Sequence, residues 1–272
     1  MPELPEVETT IKGLKPLISS SILSIKINTP KLRFFIPKNI SLIKIGTKIT
    51  DIKRRGKFII IELSNNNIIV IHLGMSGRLR LYNTARFQHQ KHDHFILRTK
   101  RDQYLIFNDA RRFGFIDYFK AKDINERKYF LKLGIDALDK SLNGQFLLKK
   151  IRKSIVPIKQ VLLDQRIIAG IGNIYASEIL FNAKISPLNK GKTLVLKDCN
   201  QIINSTKLIL KKAINAGGST LRDYVSTDGT LGNFQNNFKV YSREGEKILG
   251  KSIFKIIQYG RSTYYCPDIQ KK

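Results

Sequence analysis

The chain changes its hydrophobic texture once, near residue 120, and that change constrains its architecture more than any other feature. From Ile22 to about Phe119 the apolar residues come in short β-rich runs: ILSIKI, KFIIIEL, NIIVIHL, HFILR, YLIF and FIDYF. Turn signals such as SNNN (64 to 67) and KRDQ (100 to 103) separate them, which predicts a β-sandwich or barrel. Ahead of these runs Val7, Ile11, Leu14 and Ile18 form one apolar helical stripe that begins just after Pro5 and ends at the serine run 19 to 21. After about Ile124 the pattern turns helical, over residues 146 to 151, 157 to 163, 174 to 182 and 198 to 215. Near the end, SIFKIIQ and STYYC flank Tyr259-Gly260 as the arms of a β-hairpin. The expected fold class is therefore α+β. Residues 1–120 form an N-terminal helix plus β-sandwich, 121–140 a linker, 141–235 a helical domain and 236–272 a C-terminal hairpin.

Charge narrows the partners. Lys and Arg number 49 against 21 Asp and Glu, a formal net charge of +28 that suggests a polyanion such as nucleic acid. Abundant Ile, Lys and Asn point to compositional drift as part of that excess, so motifs must decide. Two cysteines, Cys199 and Cys266, and the lack of a leader or a long apolar run predict a soluble, intracellular protein with reduced thiols.

Several motifs carry polar groups where bare folding does not require them. IIAGIGNIYASEILF (167 to 181) predicts a Gly-Ile-Gly turn with Asn173 as the N-cap of a following helix, which suits either phosphate binding or an ordinary helical corner. HLGMSG (72 to 77), KHDHF (91 to 95) and NDARRFGF (108 to 115) place cationic groups beside glycines and aromatics at strand ends. Arg111, Arg112 and Phe113 have the chemistry of a wedge that enters a base stack, with Met75 as a flexible apolar plug; a surface arginine pair beside a core Phe is the alternative. AGGSTLRDYVSTDGTLG (216 to 232) is glycine-rich and predicts a mobile loop. The opening MPELPEVETT sets Glu3 and Glu6 near the positive end of a helix in an otherwise basic chain.

Together MPELPEVET, HLGMSG, KHDHF, RRFG, GIGNIYASEIL, GGSTLRDY, the FQ and VY of NFQNNFKVY, REGE and GRST resemble, in order, the bacterial formamidopyrimidine-DNA glycosylases. That resemblance implies a helix–two-turn–helix in the second half and excision of 8-oxoguanine and ring-opened purines from duplex DNA. It implies removal of Met1, with Pro2 as Schiff-base nucleophile, Glu3 as proton donor and Glu6 as a supporting carboxylate. Lys57 then assists β-elimination and Arg261 δ-elimination. An α-amine titrates near ~8 and a lysine near ~10.4, so the terminus is on the order of a hundredfold richer in nucleophilic amine. Met75, Arg111 and Phe113 match the family's void-filling triad. His92, Asn173 and either Lys153 or Lys159 match or lie near backbone-contacting positions. Gly217, Gly218, Thr220, Arg222 and Tyr224 belong to the loop that closes over the everted base.

The chain departs from that family at its end. Members carry a zinc finger with two Cys-x-x-Cys pairs, whereas here only Cys266 survives of four ligand positions and no His follows His94. Tetrahedral structural zinc needs four such ligands. The expectation is a zincless finger, with no cofactor and with packing by Ile248, Ile253, Ile256, Tyr264 and Tyr265 in the metal's place. LGIDAL (133 to 138) also lacks the proline common in the family's linker. The expected partner is damaged double-stranded DNA, for a cytoplasmic monomer with no obligate protein partner. Two other readings remain: an oxidised-pyrimidine enzyme of the endonuclease VIII type, disfavoured because Leu4 stands where that type has Gly, and a non-catalytic DNA-binding relative.

Overall fold

In the computed structural model, which describes residues 1–83, 87–219, 227 and 232–271, the chain divides by its contacts into two units. The first comprises Met1–Leu131 with Ala216–Gln235, the second Lys132–Asn215 with Asn236–Lys272. Residues 216–219 and Thr227 of the glycine-rich segment, grouped with the helices in the sequence reading, thus belong with the N-terminal unit. Hydrogen bonds explain this: Ser219 donates to Glu6, and Leu81 donates its N–H to the Thr227 carbonyl at 3.0 Å.

The first unit starts with helix α1 (Leu4–Leu14) and eight strands: β1 (Ile22–Ile27), β2 (Ile49–Arg55), β3 (Phe58–Leu63), β4 (Asn67–His72), β5 (Arg78–Asn83), β6 (Asp93–Thr99), β7 (Gln103–Asn108) and β8 (Phe115–Lys120). They form two antiparallel sheets, ordered β1-β6-β7-β5 and β2-β3-β4-β8. Val7, Ile11 and Leu14 of α1 join Ile59 and Ile61, Ile69 and Ile71, Phe95 and Leu97, and Leu105 and Phe107 in one buried cluster. Each such side chain contributes roughly 1.5–3 kcal/mol on leaving water, so this layer carries the unit. A short helix, α2 (Lys128–Leu131), closes it and adds Phe130 to an aromatic group with Phe58, Phe115 and Tyr129.

The two strands of this unit absent from the sequence reading, β2 and β5, are the ones whose alternation is disguised. In β2 the buried Ile49 and Ile52 lie three apart because the pairing with β3 shifts register between Ile49 and Asp51, a bulge that restores the inward face. In β5 the expected polar position is Arg80, which is buried and paired with the buried carboxylate of Asp93.

The second unit contains β9 (Ile135–Asp136), α3 (Gly144–Ile151), α4 (Ile158–Leu163), β10 (Ile168–Ala169), α5 (Asn173–Asn182) and α6 (Leu196–Asn215). Two hairpins follow: β11 (Lys247–Ile248) with β12 (Lys251–Ser252), and β13 (Phe254–Gln258) with β14 (Arg261–Tyr265). The turn between β13 and β14 has Tyr259 at φ 50° and Gly260 at φ 73°, the two left-handed residues that a two-residue hairpin requires. Among the described residues no helix is long and apolar enough to cross a membrane.

A buried carboxylate fixes the entry to these hairpins. Glu178 on α5 accepts backbone N–H groups from Lys239 (2.8 Å), Val240 (2.9 Å) and Tyr241 (2.8 Å). Glutamine in its place offers one acceptor oxygen and turns an amide N–H toward another donor. Glu178→Gln is therefore expected to destabilise the protein by about 2–4 kcal/mol, read as a lower urea midpoint at unchanged slope.

Candidate active site and nucleic-acid interface

The first turn of α1 buries acid. Glu3 caps the helix and is 2% exposed, Glu6 is 1% exposed, and the Glu6 carboxylate accepts the Glu3 N–H at 2.9 Å, half of a capping box. Its other oxygen accepts the Ser219 N–H (2.8 Å) and hydroxyl (2.9 Å). Gly218 makes this possible. Its φ is +76°, and a Cβ there would lie 3.1 Å from Glu6 Oε1. Pro2 is buried beside these carboxylates in sequence, whereas Met1 is 46% exposed.

Lys57 sits at the β2–β3 turn, which α1 reaches through Arg54. That guanidinium bonds Glu8 of α1 at 2.7 Å and the Gly56 carbonyl at 3.0 Å. Behind Lys57 lies His72, stacked on Phe115 with ring centroids 5.5 Å apart and touching Phe58. Its Nδ1 accepts the Gly74 N–H at 3.1 Å, so this nitrogen carries no proton. Burial first, then the positive charges of Lys57 and Arg33, push its pKa down to about 4. That the charges of Lys57 and Arg33 both act on His72 escaped the sequence reading; an RRGK turn does not reveal what its lysine faces.

Met75, Arg111 and Phe113 come together at one edge of the first unit. Met75 is 38% and Phe113 45% exposed, and the Arg111 guanidinium lies over the Phe113 ring, 4.8 Å from its centroid. The two loops touch at Gly74, φ +64°, where a Cβ would meet Gly114 N and Phe113 C at 2.4 Å. Only glycine permits that approach. His92 follows the same edge in a left-handed conformation, φ 73°, and Asp109 donates its N–H to the His92 carbonyl at 3.2 Å.

Arg261, Lys153, Lys159 and Asn173 belong to the second unit. Arg261 is exposed at the start of β14 and Lys153 is exposed just after α3. Two details of the sequence reading change. The N-cap of α5 is Gly172, and Asn173 is the first helical residue; its side chain faces β14, accepting from Lys159 Nζ (2.8 Å) and donating to the Ser262 carbonyl (3.0 Å). Lys159 is 0% exposed, and its three N–H groups go to Asn173 Oδ1, the Ser262 carbonyl (2.9 Å) and Thr263 Oγ1 (2.7 Å). An ammonium so enclosed has no N–H left for a phosphate. In this arrangement Lys159 ties Asn173 to β14.

Gly217 and Gly218 lie in the first unit, while Thr220, Arg222 and Tyr224 fall outside the described residues. Among the described residues no group of three His, Cys, Asp or Glu side chains is placed to hold a metal ion.

Known proteins bear on this arrangement. Residues 1–116 match the formamidopyrimidine-DNA glycosylase N-terminal domain and residues 133–225 the formamidopyrimidine-DNA glycosylase H2TH domain. A curated formamidopyrimidine-DNA glycosylase of Zymomonas mobilis is 44% identical over 273 residues, covering 100% of both chains. A solved Lactococcus lactis Fpg mutant in complex with Fapy-dG-containing DNA superposes with a TM-score of 0.91 at 35% identity, covering 100% of both chains. The same bacterium's Fpg with DNA containing an abasic site gives 0.89 at 36% identity, over 99% of this chain and 100% of that one.

His72 gives a pH prediction. Its folded pKa lies near 4, below the ordinary 6.5, so the folded state binds fewer protons than the unfolded chain between those values. Its contribution is intact above pH 6.5 and is lost as pH falls toward 4. His72→Phe should make the fall in urea-unfolding free energy between pH 6.5 and 4 shallower by up to about 1.4 kcal/mol per pH unit. An unchanged slope would show that His72 is not the group responsible.

Proposed function

The chain belongs to the formamidopyrimidine-DNA glycosylase family, and from that premise we propose how its residues divide the chemistry. It is a base-excision repair enzyme that binds damaged DNA, removes oxidised purines and, as a bifunctional glycosylase and lyase, cuts at the abasic site. In our reading Met1 is removed and the Pro2 nitrogen attacks C1′ of the damaged nucleotide. The N–C1′ bond forms as the glycosidic bond breaks, the base leaving with the bonding pair and taking up a proton. Glu3 donates to the sugar ring oxygen as the ring opens, which leaves an iminium at C1′. That cation acidifies the C2′–H bond; a base takes the proton and the 3′ phosphate leaves with the C3′–O electron pair, and a second elimination of the same kind expels the 5′ phosphate. Lys57 is assigned to the first elimination and Arg261 to the second.

The observation that carries this assignment is the pair of buried carboxylates, Glu3 and Glu6, in the turn that begins two residues after the exposed Met1. A DNA-binding module has no use for buried acid beside its own terminus. Glu6 supports the site by fixing Glu3 through its N–H and by tying down Ser219 at the foot of the lesion loop. Met75, Arg111 and Phe113 fill the space left by the everted base, with Arg111 facing the orphaned partner. His92, Asn173 and Lys153 meet phosphates. Thr220, Arg222 and Tyr224 complete the loop over the base.

The C-terminal hairpins are read as a finger without zinc. The residues do not fit the metal: the strands before Cys266 carry no Cys or His, and Cys266 is buried, its N–H bonded to Gln270 Oε1 at 2.8 Å. Gln270 in turn donates to the Ile185 carbonyl at 2.9 Å, and Lys159 grips β14 from beneath. These contacts, with Ile253 and the Tyr241–Tyr264 pair, support a hairpin anchored by packing and hydrogen bonds. The protein is further read as a cytoplasmic monomer with no obligate protein partner.

Three measurements test this. Nicking is expected on 8-oxoguanine·C duplexes in preference to thymine-glycol duplexes; the reverse order would move the enzyme to the oxidised-pyrimidine type, and no cleavage of either to a DNA binder. Borohydride should trap the protein on 8-oxoguanine DNA, and an N-acetylated residue before Pro2, which makes the Pro2 nitrogen an amide and leaves only lysines as amines, should lower trapping roughly a hundredfold, the ratio of neutral α-amine to neutral lysine. Trapping that survives the extension would assign the Schiff base to a lysine. Metal analysis of the purified protein should find well under one zinc per chain, and stoichiometric zinc would overturn the zincless reading.

A further inference from the structure

The wedge residues stand on two loops with no sheet hydrogen bonds of their own, and one buried carboxylate joins both. Asp109 is 0% exposed. Its Oδ1 accepts the Ser76 hydroxyl at 2.5 Å and the Arg111 N–H at 3.3 Å, and its Oδ2 accepts the Gly114 N–H at 2.8 Å. Ser76 follows Met75; Arg111 and Gly114 bracket Phe113. The Ser76 oxygen also accepts the Arg111 N–H, at 3.2 Å, which closes a small ring between the loops. The main chain of Asp109 is held just as firmly. Its carbonyl accepts the Arg112 N–H (3.3 Å) and meets His94 Nε2 (2.8 Å), while its N–H goes to His92. That geometry makes Nε2 the protonated nitrogen of His94 and leaves Nδ1 to accept the Thr29 hydroxyl at 2.9 Å.

We infer that Asp109 is the positioning residue of the wedge: its carboxylate locks the Met75 loop to the Arg111–Phe113 loop so that the three side chains enter the base stack as one preformed unit. This rests on the reading of those three residues as the void-filling group. A group that must replace a base inside a stack loses less freedom on entry when its parts are already fixed to one another. A carboxylate suits the task because its two oxygens offer about four acceptor sites, enough for donors from both loops. Asparagine has one acceptor oxygen: at the Oδ1 place it keeps Ser76 and Arg111 but turns an N–H group toward the Gly114 N–H, and flipped it keeps Gly114 but loses the acceptor that joins the two loops.

The test uses the full-length protein, wild type, Asp109→Asn and Ser76→Ala, the latter freeing the Met75 loop alone. Wedge entry is followed by 2-aminopurine fluorescence beside the lesion, on 8-oxoguanine·C duplexes and on abasic duplexes. Strand cleavage is measured in parallel on single-stranded abasic DNA, where no base is everted. Asp109→Asn should slow the fluorescence step and single-turnover excision in duplex DNA at least tenfold, and Ser76→Ala several-fold, with single-strand cleavage within twofold of wild type. An equal loss on single-stranded DNA, or unchanged fluorescence kinetics in both variants, overturns the inference. Should Asp109→Asn fail to fold by circular dichroism, Ser76→Ala decides alone by the same criteria. A wild type that leaves 8-oxoguanine uncut defeats the substrate assignment, while the abasic duplex still reads the wedge.

Discussion

The Glu6 carboxylate is the interaction on which the catalytic unit depends. One oxygen holds the N–H of Glu3, the residue next to Pro2, and the other holds the main chain and side chain of Ser219. A charged oxygen pair with no solvent to share must have its acceptor sites filled, and here they are filled from both ends of the unit. The first turn of α1 and Ser219 are thereby joined through a single side chain.

Much of this was legible in the sequence, because the core strands and helices obey their periods. β1 matches its predicted run residue for residue, and β3, β4, β7 and β8 match within a residue or so, since inward-facing Ile, Leu and Phe dominate them. β2 and β5 escaped for local reasons, a bulge in one and a buried Arg80–Asp93 pair in the other. The site was legible in a different way. Pro2, Glu3, Lys57 and Arg261 could be named by motif, but the motif carried no information on what surrounds them. That His72 is a neutral imidazole behind Lys57, or that Asp109 spans two loops, depends on register across sheets and on backbone approach at Gly74. Lys159 shows the opposite failure: composition marks a lysine as a surface cation, and only the fold reveals that three acceptors enclose it.

The second unit solves a related problem with neutral and charged groups alike. Lys159, Glu178 and Gln270 are each buried and each spend their hydrogen bonds on main-chain or side-chain groups of the segments that lead into or form the C-terminal hairpins. Distributed polar contacts of this kind can do what a four-ligand metal does, fixing short strands that bury too little apolar surface to hold themselves.

The contact between Gly218 and Glu6 binds two positions to a shared history. No side chain fits at 218 without displacing the Glu6 carboxylate, and no shorter acid at 6 would reach the amide of Ser219, which lies 213 positions further along the chain. A change at either place therefore disturbs the other. A lineage, or a mutant library, that varies residues beyond 219 leaves Ser219 itself tied through Glu6 to the helix that follows Pro2.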